Sequence, residues 1–179
     1  MKQTKNLTFS ALCLALCYLL PFLTAQNQEL GTLLCPMYVP VLLCGFLCGW
    51  PWGLAVGLIA PVTRSLIFGM PPLYPIAAGM SFEMAAYGAV TGILYRKFPA
   101  KRGFVYLTLF IALLAGRTVW GLSRFVMMGL AGTEFSLMLF LNGALLQSWP
   151  GIVLDFAVVP VVVFALEKAG FTRNRLPSA

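Results

Sequence analysis

The chain has 179 residues, of which 60% are hydrophobic and 9% charged, and its formal net charge is +7. A soluble domain carries about half and about a quarter respectively, and no soluble fold of this length can bury so much apolar surface, so the composition is that of a polytopic membrane protein. The lack of histidine removes the commonest metal ligand and the usual general base. The positive charge is no nucleic-acid footprint, because the basic residues sit in short clusters between apolar runs, where they serve topology.

In chain order, Lys2 and Lys5 form a basic anchor ahead of a first span over 7–25. That run is long enough for a hydrocarbon core of ~30 Å. It has no small-residue cleavage site after it, so it reads as a retained helix. Ala11 and Ala15 stand at the small-xxx-small spacing that lets another helix approach the backbone, either a partner's or one of the chain's own. Residues 26–34, with Glu29, read as an external loop. The next helix, 37–48, is roughly 20 Å long at helical rise, too short to span unaided. The loop before it is therefore expected to dip into the membrane or fold over a cavity.

Trp50-Pro51 marks a tight turn, with Pro51 well placed at a helix start. The third span, 52–68, has Gly53 and Gly57 at close-packing spacing and Arg64 near its outer end. Pro71, Pro72 and Pro75 stiffen the following turn and forbid helix through it. The fourth span, 76–95, carries Glu83, with Tyr87 one turn further on the same face. After the basic loop 96–102 comes a fifth span, 104–130, longer than a bilayer needs and therefore tilted or protruding. Arg117, Gly121 and Arg124 share one face of it, with Trp120 beside them. Residues 135–146 are apolar but too short to cross. They either re-enter the membrane or extend the last helix outward, with Asn142, Gln147 and Ser148 as a polar side. The last span, 150–167, contains Asp155.

Nine of the twelve basic residues lie at the two termini and in the 96–102 loop, and the other three lie inside spans. The positive-inside rule then puts both termini and that loop in the cytoplasm, which requires an even number of spans. The expectation is an all-α, single-domain membrane protein: a six-transmembrane-helix bundle with both termini cytoplasmic.

Arg64, Glu83, Arg117, Arg124 and Asp155 all fall within spans, and an ionisable residue inside the membrane marks a functional site by default. Helical rise places them in the outer half, three positive and two negative, with one positive charge unmatched. They can be a structural network that fixes helix register. They can equally form an outward cup for a small organic anion gripped by bidentate arginine, lined by Tyr38, Tyr87, Trp120 and Trp149. Lone buried ion pairs seldom recover their desolvation cost, which weighs against a wholly structural network. On the binding reading, Arg117→Ala and Arg124→Ala each abolish binding and leave the fold intact.

The pairs Cys13/Cys17 and Cys44/Cys48 read as small apolar packing residues, and no metal site is expected. No Walker phosphate loop is present, no Ser-His or Cys-His pair is available, and no inverted repeat is evident. These features disfavour nucleotide hydrolysis by this chain, hydrolytic catalysis and self-sufficient secondary transport.

Several stretches taken together carry a family resemblance: Ala11-x-x-x-Ala15, Val39-Pro40-Val41-Leu42-Leu43-Cys44-Gly45, Gly69-Met70-Pro71-Pro72-Leu73, Glu83-x-x-x-Tyr87-Gly88 and Trp149-Pro150-Gly151. In this order, across six spans, the chain resembles the substrate-binding S components of energy-coupling factor (ECF) vitamin importers of the bacterial plasma membrane. Tyr38 stands where the family's second-helix motif has histidine, a difference that bears on the ligand. The resemblance implies a binding subunit and not an enzyme. Such a subunit captures a vitamin on the extracellular side, using its later helices and outer loops. Candidate ligand contacts are Tyr38, Arg64, Glu83, Tyr87, Arg117, Trp120, Arg124, Asn142, Gln147 and Asp155. It implies that Ala11 and Ala15 dock the membrane-embedded T component, and that two ATPase subunits supply the energy. The S component itself would need no cofactor, ATP being used only by the partners. The unmatched positive charge favours a carboxylate vitamin, pantothenate first and nicotinate next. The alternative, a self-sufficient transporter or channel, predicts ion-gradient-driven uptake by this chain alone. A purely structural subunit predicts that no small molecule stabilises it.

Overall fold

The computed structural model describes residues 2–23, 36–69, 71–99, 102–130 and 149–169. Among these the regular structure is helical: α1 (Lys2–Leu23), α2 (Tyr38–Cys48), α3 (Trp50–Phe68), α4 (Ala78–Lys97), α5 (Arg102–Leu130) and α6 (Trp149–Lys168). The expected loop 26–34 and the apolar stretch 135–146, expected to re-enter the membrane or extend the last helix, lie outside the described residues, and with them Asn142, Gln147 and Ser148.

The punctuation legible in the sequence falls where the helices break. α2 ends at Gly49 (φ 96°), and α3 starts immediately, with Pro51 in its first turn, where its missing N–H costs nothing. α3 closes on Gly69 in the left-handed region, its N–H bonded to Ser65 O. Ser65 Oγ then holds Pro71 O at 2.6 Å. Tyr74 is extended within a wide turn, Leu73–Ala77, the Tyr74–Pro75 peptide is cis, and Tyr74 OH donates to Met127 O of α5 at 2.8 Å. α4 therefore begins at Ala78, two residues later than the apolar run implies. α1 begins earlier than its apolar run, because Thr8 and Ser10 bond back to Thr4 O and Asn6 O and the helix continues through its polar start. Hydropathy marks where lipid begins, not where helical hydrogen bonding ends.

Among the described residues four helices are long and apolar enough to cross a membrane: Gln3–Phe22, Trp50–Phe68, Arg102–Gly129 and Trp149–Lys168. α2, with 11 residues, is only ~16 Å long. It is buried along nearly its whole length among α1, α3, α4 and α6. α4 is long enough but carries Ser81, Glu83 and Thr91, all buried. It packs against α2, α3 and α5, and a helix enclosed by others has no need of an apolar surface on every side.

α4 meets α3 backbone on backbone, and it meets α2 through the Gly88 carbonyl and the Thr91 side chain. A Cβ at Gly53 would lie 2.6 Å from Gly88 O, and one at Gly45 would lie 2.7 Å from the same oxygen. Small residues permit such close approach in membranes, where dispersion takes the place of the hydrophobic effect between helices.

One end of the bundle gathers the basic residues. Asn6 Nδ2 and Arg96 Nη2 both reach Cys48 O, Tyr95 OH donates to Glu167 Oε1, and Arg102 stacks over Phe164. The start of α1, the α2–α3 junction, the ends of α4 and α6 and the start of α5 therefore meet there, with Lys5, Arg96, Lys97, Arg102 and Lys168. On α1 the face toward the bundle is Ser10, Cys13, Cys17 and Pro21, while Ala11 and Ala15 are exposed with Leu12 and Leu19. Cys13, Cys17, Cys44 and Cys48 pack between α1 and α2, with Cys44 Sγ on Ser10 Oγ and Cys17 Sγ on Met37 O.

Candidate functional site

The half of the bundle away from that basic end is built around Glu83. Its side chain is 0% exposed and is held by three donors from three helices. Tyr38 OH of α2 reaches Oε2 at 2.9 Å. Tyr87 OH, one turn along α4, reaches Oε1 at 2.6 Å, and Arg117 Nη1 of α5 completes an ion pair with Oε1 at 3.0 Å. A carboxylate accepts several such bonds at once, and each is charge-assisted and so stronger than a neutral one.

The rings around it are packed edge to face. Tyr38 and Tyr87 stand T-shaped, with centroids 5.1 Å apart, and the Arg117 guanidinium lies 5.6 Å from the Tyr38 centroid. Gly116 of α5 makes room for Tyr87. A Cβ there would lie 2.8 Å from Tyr87 Cζ, with other ring atoms closer still. Gly116 is a site residue that the sequence does not single out. Its only signal is adjacency to Arg117, and glycines are common in apolar membrane helices whether or not a site lies beside them.

Two further ionic groups flank this core. Arg124, two turns along α5 from Arg117, places its guanidinium 5.4 Å from the Trp120 centroid. It acts electrostatically on Glu83, and among the described residues its buried Nε has no hydrogen-bond partner. Asp155 of α6 is 1% exposed. It acts on Tyr87 and is acted on by Arg117 and Glu83, yet among the described residues neither of its buried oxygens has a hydrogen-bond partner. At the low effective dielectric of such a place these charges are felt strongly.

The structure thus brings together Tyr38, Glu83, Tyr87, Arg117, Trp120, Arg124 and Asp155. It sets Arg64 apart. That side chain is buried at the α1–α3 side, its guanidinium 5.8 Å from the Phe68 ring, and among the described residues it pairs with no carboxylate. The cause is an aromatic group at that corner, where Phe68 packs against Tyr18 and Phe22 and offers a ring face to the cation. Trp149 is also apart, exposed at the start of α6. With Arg64 elsewhere, the cluster holds two arginines and two carboxylates, so the unmatched positive charge expected from the sequence is not part of it. What the cluster offers is a saturated Glu83 at its centre, with one arginine and one aspartate on its flanks still unsatisfied. Such an arrangement is suited to holding a small polar molecule.

Comparison with curated proteins and with solved structures found no match. A family profile described as "ECF transporter, substrate-specific component" matches residues 5–163. The matched stretch contains all of the clustered residues and both exposed alanines of α1. The chain belongs to the ECF transporter substrate-specific component family.

Proposed function

We propose that this chain is the membrane-embedded capture subunit of a bacterial plasma-membrane importer, a single domain of six spans with both termini in the cytoplasm. The basic end faces the cytoplasm, as the positive-inside rule requires, and the Glu83 cluster opens toward the outside. There it binds a small carboxylate vitamin, with pantothenate the first candidate and nicotinate the second. A T component and two ATPase subunits drive uptake, and ATP is used only by those partners. The observation that carries this reading is the gathering of buried ionic groups from α4, α5 and α6 in the half of the bundle away from the basic end. Buried polar groups in proteins are nearly always hydrogen-bonded, and those of Asp155 and Arg124 await a partner.

Native mass spectrometry of the purified chain tests this directly. A co-purifying organic acid is expected. Adding it at about a hundredfold excess over Kd should raise stability by about 2.7 kcal/mol. If no small acid co-purifies and none of a vitamin panel shifts thermal unfolding, the reading fails.

The exposed alanines of α1 lead to a separate prediction. Ala11→Trp, on the lipid-facing side, should block co-purification with the T component and leave ligand affinity within about twofold, because that face touches none of the clustered residues. Joint loss of assembly and binding would instead place the alanines inside the fold of this chain.

A further inference from the structure

We propose that the ligand is an acid that also carries a hydroxyl or amide hydrogen-bond donor, with its carboxylate taken by Arg124 and its donor taken by Asp155. This rests on the capture reading above and narrows the class of molecule captured.

Part of the site is already satisfied. Both oxygens of Glu83 are engaged by Tyr38, Tyr87 and Arg117, so Glu83 organises the site without needing a ligand. Arg124 is different. It stacks on Trp120 and among the described residues makes no ion pair, and a guanidinium is a fork of donors suited to a carboxylate. Asp155 is the reverse case: almost fully buried, at 1% exposure, with two oxygens that accept from nothing among the described residues. Carboxyl oxygens accept hydrogen bonds, so an O–H or N–H on the ligand would meet them. Glu83 is the common electrostatic neighbour of both residues, which puts the unmet cation and the unmet acceptor in one cluster. The complement of that pair is a molecule with an acid at one position and an O–H or N–H at another. A plain aromatic acid such as nicotinate satisfies Arg124 and leaves Asp155 unmatched. Pantothenate, an acid with hydroxyls and an amide, satisfies both. A site built to bond a donor rejects an analogue lacking it far more strongly than apolar pockets reject a change in size.

The test is calorimetric titration of the purified full chain, stripped of co-purified ligand, with pantothenate, nicotinate and octanoate. Pantothenate should bind at least ~100-fold more tightly than either plain acid. Asp155→Leu should erase most of that preference by weakening pantothenate and leaving the plain acids unchanged. Its ligand-free thermal midpoint should stay the same or rise, because removing an unpartnered buried carboxylate relieves a cost; a purely structural aspartate would lower it. If Asp155→Leu does not fold, the three-ligand comparison on the unaltered chain decides alone. Binding of nicotinate or octanoate as tight as pantothenate overturns the donor requirement and leaves acid capture standing. Failure of all three acids to bind removes acid capture and this proposal with it. A sodium dependence of pantothenate affinity that Asp155→Leu abolishes would assign the carboxylate to a cation, and that also overturns it.

Discussion

Arg117→Met should destabilise the ligand-free chain by about 3–5 kcal/mol, the cost of leaving a buried charge without its partner. Glu83 has no exposure to water, and its cationic contact is the 3.0 Å ion pair with Arg117. The hydroxyls of Tyr38 and Tyr87 would remain, but two neutral donors do not offset a full charge. The double variant Glu83→Gln/Arg117→Met should recover most of the loss, since the amide keeps the size and an oxygen acceptor for a tyrosine while the charge is gone. Thermal and denaturant unfolding of the four chains in detergent gives the coupling energy by double-mutant cycle. Additive effects, with no recovery in the double variant, would show that Arg117 does not hold Glu83. From the sequence alone, Arg117 and Arg124 are interchangeable, and either is expected to be removable without harm to the fold. The ion pair separates them.

Arg124→Ala should act on binding and not on folding. Its guanidinium rests on Trp120 and neutralises no described carboxylate by direct contact, so its removal strands no charge. On the capture reading it grips the acid group of the ligand, and truncating one partner of such a pair costs about 2–5 kcal/mol, or roughly 30- to 4000-fold in Kd. Arg124→Lys should recover little, because a point ammonium reproduces neither the fork nor the stacking. Titration with the co-purifying acid measures the loss, and the thermal midpoint of the ligand-free variant should stay within a few degrees of the parent. An unchanged Kd would remove Arg124 from the site.

These two arginines also show what a sequence does and does not disclose. Their shared face follows from helical periodicity, as does the one-turn spacing of Glu83 and Tyr87. The breaks at Gly49 and Gly69, and the proline turn between α3 and α4, follow from backbone chemistry that glycine and proline impose locally. The bond from Tyr38 to Glu83 does not follow. The two residues are 45 positions apart, and α2 is apolar on every side, so no hydrophobic stripe tells which face meets α4. Arg64 falls in with the other charges on sequence grounds because depth along a helix can be counted. Azimuth around the bundle cannot. Its aromatic corner depends on α1 and α3 lying side by side, which only packing decides. By sequence α4 is one span among six, and its central position becomes visible only through the glycines of its neighbours.

The glycine contact among α2, α3 and α4 has a consequence for how the site responds to a guest. Tyr38 rides on α2 while Glu83 and Tyr87 ride on α4, and these two backbones touch where Gly45 meets the carbonyl of Gly88. The side chain nearest that contact, Thr91, is itself bonded back to the carbonyls of Tyr87 and Gly88. On the capture reading, the tyrosine–carboxylate arrangement is therefore set before anything arrives, and little configurational entropy is left to lose on binding. α5 is tied to the same arrangement through Gly116 against Tyr87 and the Arg117–Glu83 ion pair. On the same reading, the freedom to adjust to a guest therefore lies in the side chains of Arg124 and Asp155, which hold polar atoms without a partner among the described residues.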